Sequence, residues 1–217
     1  MQLTKFTHSC VRLTDGDRRL VIDPGVFSEV EDALADIEAV LITHQHPDHL
    51  DLARLSAAAA ANPALRVWAP ADSVGQLNAV EALSGRVTAV GPGESFVAGG
   101  LQVRTYGGQH ALIHASIPTI NNVAYLVGDA VYHPGDSYTV PNAAVEISLV
   151  PLNAPWAKVA ETIDYAVSLR APRSFQIHDA LLGDIGRNGY GGQLKRVKDL
   201  YGTTEFDLLE PRQTVEL

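Results

Sequence analysis

Leu41-Ile42-Thr43-His44-Gln45-His46-Pro47-Asp48-His49-Leu50 is the stretch on which the reading of this chain turns. Three histidines and an aspartate fall within six residues, directly behind the apolar run Ala39-Val40-Leu41-Ile42. That run reads as a buried strand, which puts the polar residues on the loop that leaves it, where a rigid scaffold presents functional groups. Pro47 restricts the loop, and Asp51 is a suitable N-cap for a helix behind it. Imidazole and carboxylate groups at this density suit zinc, with manganese and iron admitted by the same donors. The competing reading, a merely solvated polar loop, needs a chance cluster of four metal-ligating side chains.

Four donors do not complete a two-metal site, so further ligands are expected downstream, where strands end and loops begin. His110 follows a strand-like run at residues 101–106 and Gly107-Gly108. Asp136 lies in the turn His133-Pro134-Gly135-Asp136-Ser137, and His178 ends the run Phe175-Gln176-Ile177. Asp129, in Gly128-Asp129, competes with Asp136 but reads as a hairpin-turn residue.

Outward from the cluster, two textures alternate. Short β-branched runs at residues 19–23, 39–43, 65–68, 86–90, 101–106, 122–127, 145–150 and 173–177 read as strands. Helical spacing marks residues 51–61, 72–83, 158–169 and 193–201. Residues 3–22 read as two or three antiparallel strands around the turn Asp15-Gly16-Asp17. A second strand-rich block covers residues 96–132. Each half therefore runs strands first and strand–helix units afterwards, which fits mixed sheets with helices outside better than a purely parallel doubly wound fold. The glycine-rich residues 183–192 lack the strand-then-helix context of a phosphate loop and read as a flap over the site, with Arg187 as a contact for an anionic substrate.

With 217 residues and 46% hydrophobic composition the chain can bury a core of its own, and one domain over residues 1–217 is expected. The net charge of −9 disfavours nucleic acid as a partner. Cys10 is the one cysteine, which excludes an internal disulfide. Neither a signal peptide nor a membrane span is visible, so a cytoplasmic protein acting on a small molecule, with no membrane partner, is expected.

His44-Gln45-His46-Pro47-Asp48-His49 resembles the H-x-H-x-D-H signature of the metallo-β-lactamase superfamily. Phe6-Thr7-His8-Ser9-Cys10-Val11-Arg12-Leu13 and Leu20-Val21-Ile22-Asp23-Pro24-Gly25 resemble its first strands. Within the superfamily, the chain is similar to compact single-domain metal-dependent hydrolases that include the ascorbate-phosphate lactonases. The resemblance implies an α/β four-layer αββα sandwich with two divalent metal ions, zinc first, at one edge of the paired sheets. It implies that His44, His46 and His110 hold one metal, that Asp48, His49 and His178 hold the other, and that Asp136 bridges them. Asp48 additionally orients the nucleophile. Gln45 stands where some iron-binding members carry a carboxylate, which disfavours a diiron redox centre.

The implied reaction is hydrolysis of a small ester, lactone, amide or phosphoester by metal-activated water. A phosphodiesterase or nuclease, and a non-catalytic metal-binding sensor, are the alternatives. His114, four residues beyond His110, shares its face if the segment is a strand; it is then a substrate contact or proton donor, and otherwise a hydrogen-bonded loop histidine. His8 and His133 are supporting or substrate groups, Asp23 and Asp179 braces for ligating imidazoles, and Trp156 a pocket wall or packing residue. A homo-oligomer is suggested only by the resemblance.

Overall fold

The computed structural model describes residues 1–217. Its strands form two seven-stranded sheets. The first contains β1 (Gln2–Lys5), β2 (Val11–Asp15), β3 (Arg18–Ile22), β4 (Ala39–Leu41), β5 (Arg66–Pro70) and β6 (Val87–Val90) in sequence order, with β14 (Thr214–Glu216) added beside β1. The second runs β7 (Ser95–Ala98), β8 (Leu101–Gly107), β9 (Val123–Val127), β10 (Val131–His133), β11 (Ile147–Pro151), β12 (Arg173–Ile177) and β13 (Glu205–Asp207), also in sequence order. In each sheet an antiparallel meander leads into a parallel half. β1–β2–β3 and β7–β8–β9–β10 are antiparallel. β3 through β6, and β10 through β13, are parallel.

The period-two alternation of the strands explains the layers. Along β9, Val123, Tyr125 and Val127 join one core, while Ala124 and Leu126 join another. The first core lies between the sheets and mixes Leu13, Leu20, Ile22 and Leu41 with Val103, Leu149 and Phe175. Val21, Val40, Ile42 and Val67 face outward and are covered by Leu55 of α2 (Leu52–Ala61), Leu77 of α3 (Ala71–Asn78) and the short α1 (Val30–Ala33). On the far side, Ala124, Leu126 and Val150 pack against Tyr165 and Ala166 of α4 (Val159–Leu169), Leu194 of α5 (Asp184–Lys195) and Val197 of α6 (Val197–Tyr201). Strands buried on both faces are largely apolar, and β4, β9 and β11 are buried along their full length, with the polar Ser148 of β11 paired to Ser174. The result is the four-layer αββα sandwich. No helix of the chain is long and apolar enough to cross a membrane.

Three local expectations are corrected. Residues 72–83 are not one helix: α3 stops at Asn78, and a separate 3-10 turn follows at Glu81–Leu83. The helix expected at residues 193–201 divides at Arg196 between α5 and α6. The glycine-rich residues 183–192 are not a flap but most of α5. Poor helix propensity is overridden by packing there: Leu194 is fully buried, and a Cβ at Gly191 would meet Leu208 Cδ1 at 2.8 Å.

Candidate metal centre

Seven loops at one end of the sandwich each bring one or more residues to a single cluster. His8 comes from the β1–β2 loop, Asp23 from the exit of β3, and His44, His46, Asp48 and His49 from the loop between β4 and α2. His110 comes from the β8–β9 loop, Asp136 from β10–β11, Trp156 from β11–α4, and His178 from β12–α5. The loop of the opening stretch is locked at its far end and at its centre. Asp51 caps α2 by accepting from the Arg54 N–H at 3.0 Å. At its centre the backbone of Gly25 packs so closely that a Cβ there would lie 1.8 Å from the Asp48 carbonyl oxygen.

The donor atoms fall into interlocking groups, each with its atoms within 4.8 Å of one another: His44, His46 and His110; His8, Asp48, His49 and His178; and His44, His49 and Asp136 between them. Asp136 is central. Its Oδ1 is 3.0 Å from His49 Nε2, and its Oδ2 is 3.1 Å from His178 Nε2 and 3.3 Å from His110 Nε2.

The hydrogen bonds assign the tautomers. The Thr43 hydroxyl donates to Asp23 Oδ2 at 2.6 Å, so at His44 Nδ1, 3.0 Å away, it can only accept. His49 Nδ1–H donates to Asp23 Oδ2 at 2.7 Å. His110 Nδ1–H donates to the Ala111 carbonyl, and His178 Nδ1–H to that of Asn153, both at 2.6 Å. Four imidazoles thus have Nδ1 anchored to an acceptor and present Nε2 inward, the arrangement by which surrounding groups orient metal ligands. His44 Nε2, His49 Nε2, His110 Nε2 and Asp136 Oδ1 are buried and make no hydrogen bond. An orphaned buried polar atom costs about 1–3 kcal/mol, so four in one place call for a group that they bind. A nitrogen- and oxygen-rich donor set of this shape fits divalent cations such as zinc.

His8 and His133 are different. His8 Nε2–H donates to Asp48 Oδ2 at 3.1 Å, and its Nδ1 accepts from the Ala180 N–H at 3.3 Å. His133 Nε2–H donates to the Ser9 carbonyl and its Nδ1 accepts from Gly135 N–H. With both ring nitrogens engaged, each supports the cluster: His8 fixes Asp48 and His133 fixes the turn that carries Asp136.

Electrostatics follow burial and pairing. Burial pushes His44 well below the ordinary imidazole range and takes His8 down to about 4. Burial acts the same way on His178, but the Asp136 carboxylate beside it wins and raises it to about 9. Asp136 is held well below the usual carboxylate range, against the cost of its burial, by His49 and His178.

Several contributors carried no signal in the sequence. Asn122 spends its whole amide on the Asp136 turn, accepting from Asp136 N–H at 2.9 Å and donating to the Pro134 carbonyl at 2.8 Å. Gly135, at φ +63°, has no room for a side chain, since a Cβ would lie 2.2 Å from Asn122 Oδ1. His8, Asp23 and His178 all have positive φ (65°, 52° and 57°), a conformation rare outside glycine that turns each side chain out of its strand into the cluster. Lys5 is fully buried and donates to the Phe6 and His8 carbonyls and to Asp179, which fixes the backbone of the β1–β2 loop.

Other expected residues stand elsewhere. Residues 108–122 form a loop rather than a strand, so His110 and His114 do not share a strand face; His114 is exposed, with Nδ1 2.7 Å from Ser116 Oγ. Asp129 is two-thirds exposed and pairs with Arg104 at the β9–β10 turn. Asp179 does not brace His178, because it accepts from Lys5, Gln176 and Arg187. Arg187 is not free for an anionic substrate: it bonds Asp179, Glu210 and the Leu209 carbonyl. Trp156 is more than a wall, since its indole N–H donates to Asp136 Oδ2 at 2.9 Å.

Comparison with known proteins agrees with this architecture. A family model described as "Beta-lactamase superfamily domain" matches residues 2–178. Protein Rv0786c of Mycobacterium tuberculosis is 38% identical over 220 residues, covering 99% of either chain. Igni18, a metallo hydrolase from Ignicoccus hospitalis, superposes with a TM-score of 0.73 at 19% identity, over 99% of this chain and 97% of its own. The metallo-beta-lactamase fold protein YhfI from Bacillus subtilis superposes with a TM-score of 0.74 at 16% identity, over 99% and 98%. This chain belongs to the beta-lactamase superfamily and has its metallo-β-lactamase fold.

Proposed function

We propose that the protein is a hydrolase that acts on a small-molecule ester, lactone, amide or phosphoester with the help of two divalent metal ions, zinc in the first place and manganese or iron as substitutes. The observation that carries this reading is the gathering of the orphaned Nε2 atoms of His44, His49 and His110 around the Asp136 carboxylate, with the Nδ1 side of each ring already engaged. His44, His46 and His110 would hold one cation, Asp48, His49 and His178 the other, and Asp136 would lie between them. When bound, such a pair supplies a hydroxide nucleophile at neutral pH and a Lewis acid for the substrate oxygen.

The chain's own residues do the rest. Asp136 would supply the negative charge that offsets the repulsion of two neighbouring cations. Asp23 holds both His49 and Thr43, and through Thr43 it aligns His44. Asp48 is about a quarter exposed, whereas Asp23 and Asp136 are buried. With Oδ2 fixed by His8, it would additionally orient the nucleophile. His114 is given no step. The proposed ligands come from both sheets, so the reading takes residues 1–217 as one hydrolase domain.

The test is reconstitution. Protein stripped by a chelator should hydrolyse nothing, and reloading with zinc, manganese or ferrous iron should restore turnover of at least one of these four substrate classes. Full activity in metal-free protein would overturn the proposal. No turnover by protein that holds two metals would favour a metal-binding sensor.

A further inference from the structure

The seven loops that build the metal centre span residues 6–10, 23–29, 42–51, 108–122, 134–146, 152–158 and 178–183. They make up more than a quarter of the chain, yet of its 16 lysines and arginines they contain one, Lys158. That ammonium is largely exposed and pairs with Glu161 at 3.1 Å. Two nearby cations from other elements are committed as well: Lys5 to Asp179 and two carbonyls, Arg187 to Asp179, Glu210 and Leu209. The bound metals can take the oxygen of a scissile group. Arg54, at the start of α2, is paired with Glu31 and Asp51, so the exposed Lys158 is the one cation on these loops that could meet a second anionic group elsewhere on the substrate.

The same loops are rich in exposed apolar side chains. Six of the eleven large hydrophobic residues that the chain exposes lie on them, among them Phe27, Leu112, Ile117 and Leu181. The Phe27 ring meets His8 edge-on at 5.3 Å, and His8 touches Asp48. The Trp156 ring lies between His110 and His178, at 6.3 and 6.5 Å. Leu112 and Ile117, 65% and 43% exposed, sit on the long 108–122 loop, whose base is pinned by the His110 N–H to Ile120 and Ala111 N–H to Asp136 carbonyl bonds. Single exposed hydrophobics need no explanation, but their concentration on the loops that carry a polar cluster is what a site for an apolar ligand requires.

We infer that the substrate is a small ester, lactone or amide whose portion away from the reacting bond is uncharged and apolar, seated against Phe27, Leu112 and Trp156. This rests on the hydrolase reading above and narrows it: phosphorylated sugars, nucleotides and nucleic acid, each of which places further anionic groups beside the reacting one, are selected against. Nucleic-acid binding in particular draws most of its strength from lysine and arginine contacts to phosphate, for which these loops offer Lys158 alone.

The test uses zinc-loaded full-length protein and n-alkyl hydroxamic acids from two to six carbons, whose head group binds zinc, beside the same series ending in a carboxylate. Affinity should rise about two- to fourfold per added methylene, and the carboxylated series should bind at least about tenfold more weakly, as expected where a charge finds no partner. Phe27→Ala and Leu112→Ala should flatten the rise, and Leu112→Lys should recover the carboxylated series. Neither residue is in the proposed ligand set, and both are exposed, so the fold should survive. Zinc-dependent binding that ignores chain length, or that favours the carboxylates, overturns the inference and leaves the hydrolase reading standing. So does a flat series in a dimer that Leu112→Ala dissociates, because a second copy then covers the apolar rim. If zinc-loaded protein binds no hydroxamate, the hydrolase reading falls, and this inference with it.

Discussion

The two halves of the proposed metal centre differ in how their donors are held. The His44, His46 and His110 group has no carboxylate of its own; its ring centroids lie 4.8 Å apart, and one member, His46, is half-buried and makes no hydrogen bond to fix it. The Asp48, His49 and His178 group contains a carboxylate, and each member is held: His49 by Asp23, His178 by the Asn153 carbonyl, Asp48 by His8. Each half thus has two anchored imidazoles, and the halves differ at the third member, the unanchored His46 against the held Asp48. The lesson is that a donor set visible in sequence does not reveal how firmly each donor is placed. The firmly held half should keep its metal and depend on its ligands for folding, while the looser half exchanges metal with solvent.

The largest test of that asymmetry is a pair of substitutions. His49→Ala removes a buried imidazole and strips Asp23 and Asp136 of a partner, so unfolding stability should drop by about 3–5 kcal/mol in urea titration along with loss of metal. His46→Ala should remove one metal while moving stability by less than about 1 kcal/mol. Equal destabilisation by both would break the comparison. Next in size, Asp23→Asn keeps the volume but withdraws the charge that holds His49 and Thr43. Metal affinity should fall about 10–100-fold, with the His49 half affected first, as read by chelator competition.

Trp156→Phe should have a smaller effect. It removes the N–H donor to Asp136 Oδ2 and keeps the ring, so metal affinity should fall about tenfold with little change in unfolding. An unchanged affinity would mean that the indole only packs. Smallest of all is Asp129→Asn: an exposed turn residue that keeps its left-handed backbone should leave metal content intact and stability within about 0.5 kcal/mol.

How much of this was legible beforehand divides along physical lines. The strands that build the sheets announced themselves because residues such as those of β4 and β9 are buried on both faces and hence apolar throughout. The loop from His44 to His49 was legible because its donors are adjacent in the chain. His110, Asp136 and His178 could be located because each follows a strand. β13 and β14 were missed: each has three residues, and each exists only through pairing with a strand distant in sequence, such as Leu3 with Val215. α5 was missed because its glycines argue against a helix that tertiary packing nonetheless imposes. The roles of Asn122, Thr43 and the Asn153 carbonyl depend on distances between loops, and no local pattern encodes them.

The central claim, two cations held on either side of Asp136, is tested most directly by metal content per chain, measured by elemental analysis on protein prepared without a metal-chelating tag. Close to two metals are expected in the natural chain, one in His46→Ala, and neither retained tightly in Asp136→Ala. A natural chain that binds at most one metal after supplementation, or an Asp136→Ala variant that still holds two, would contradict it.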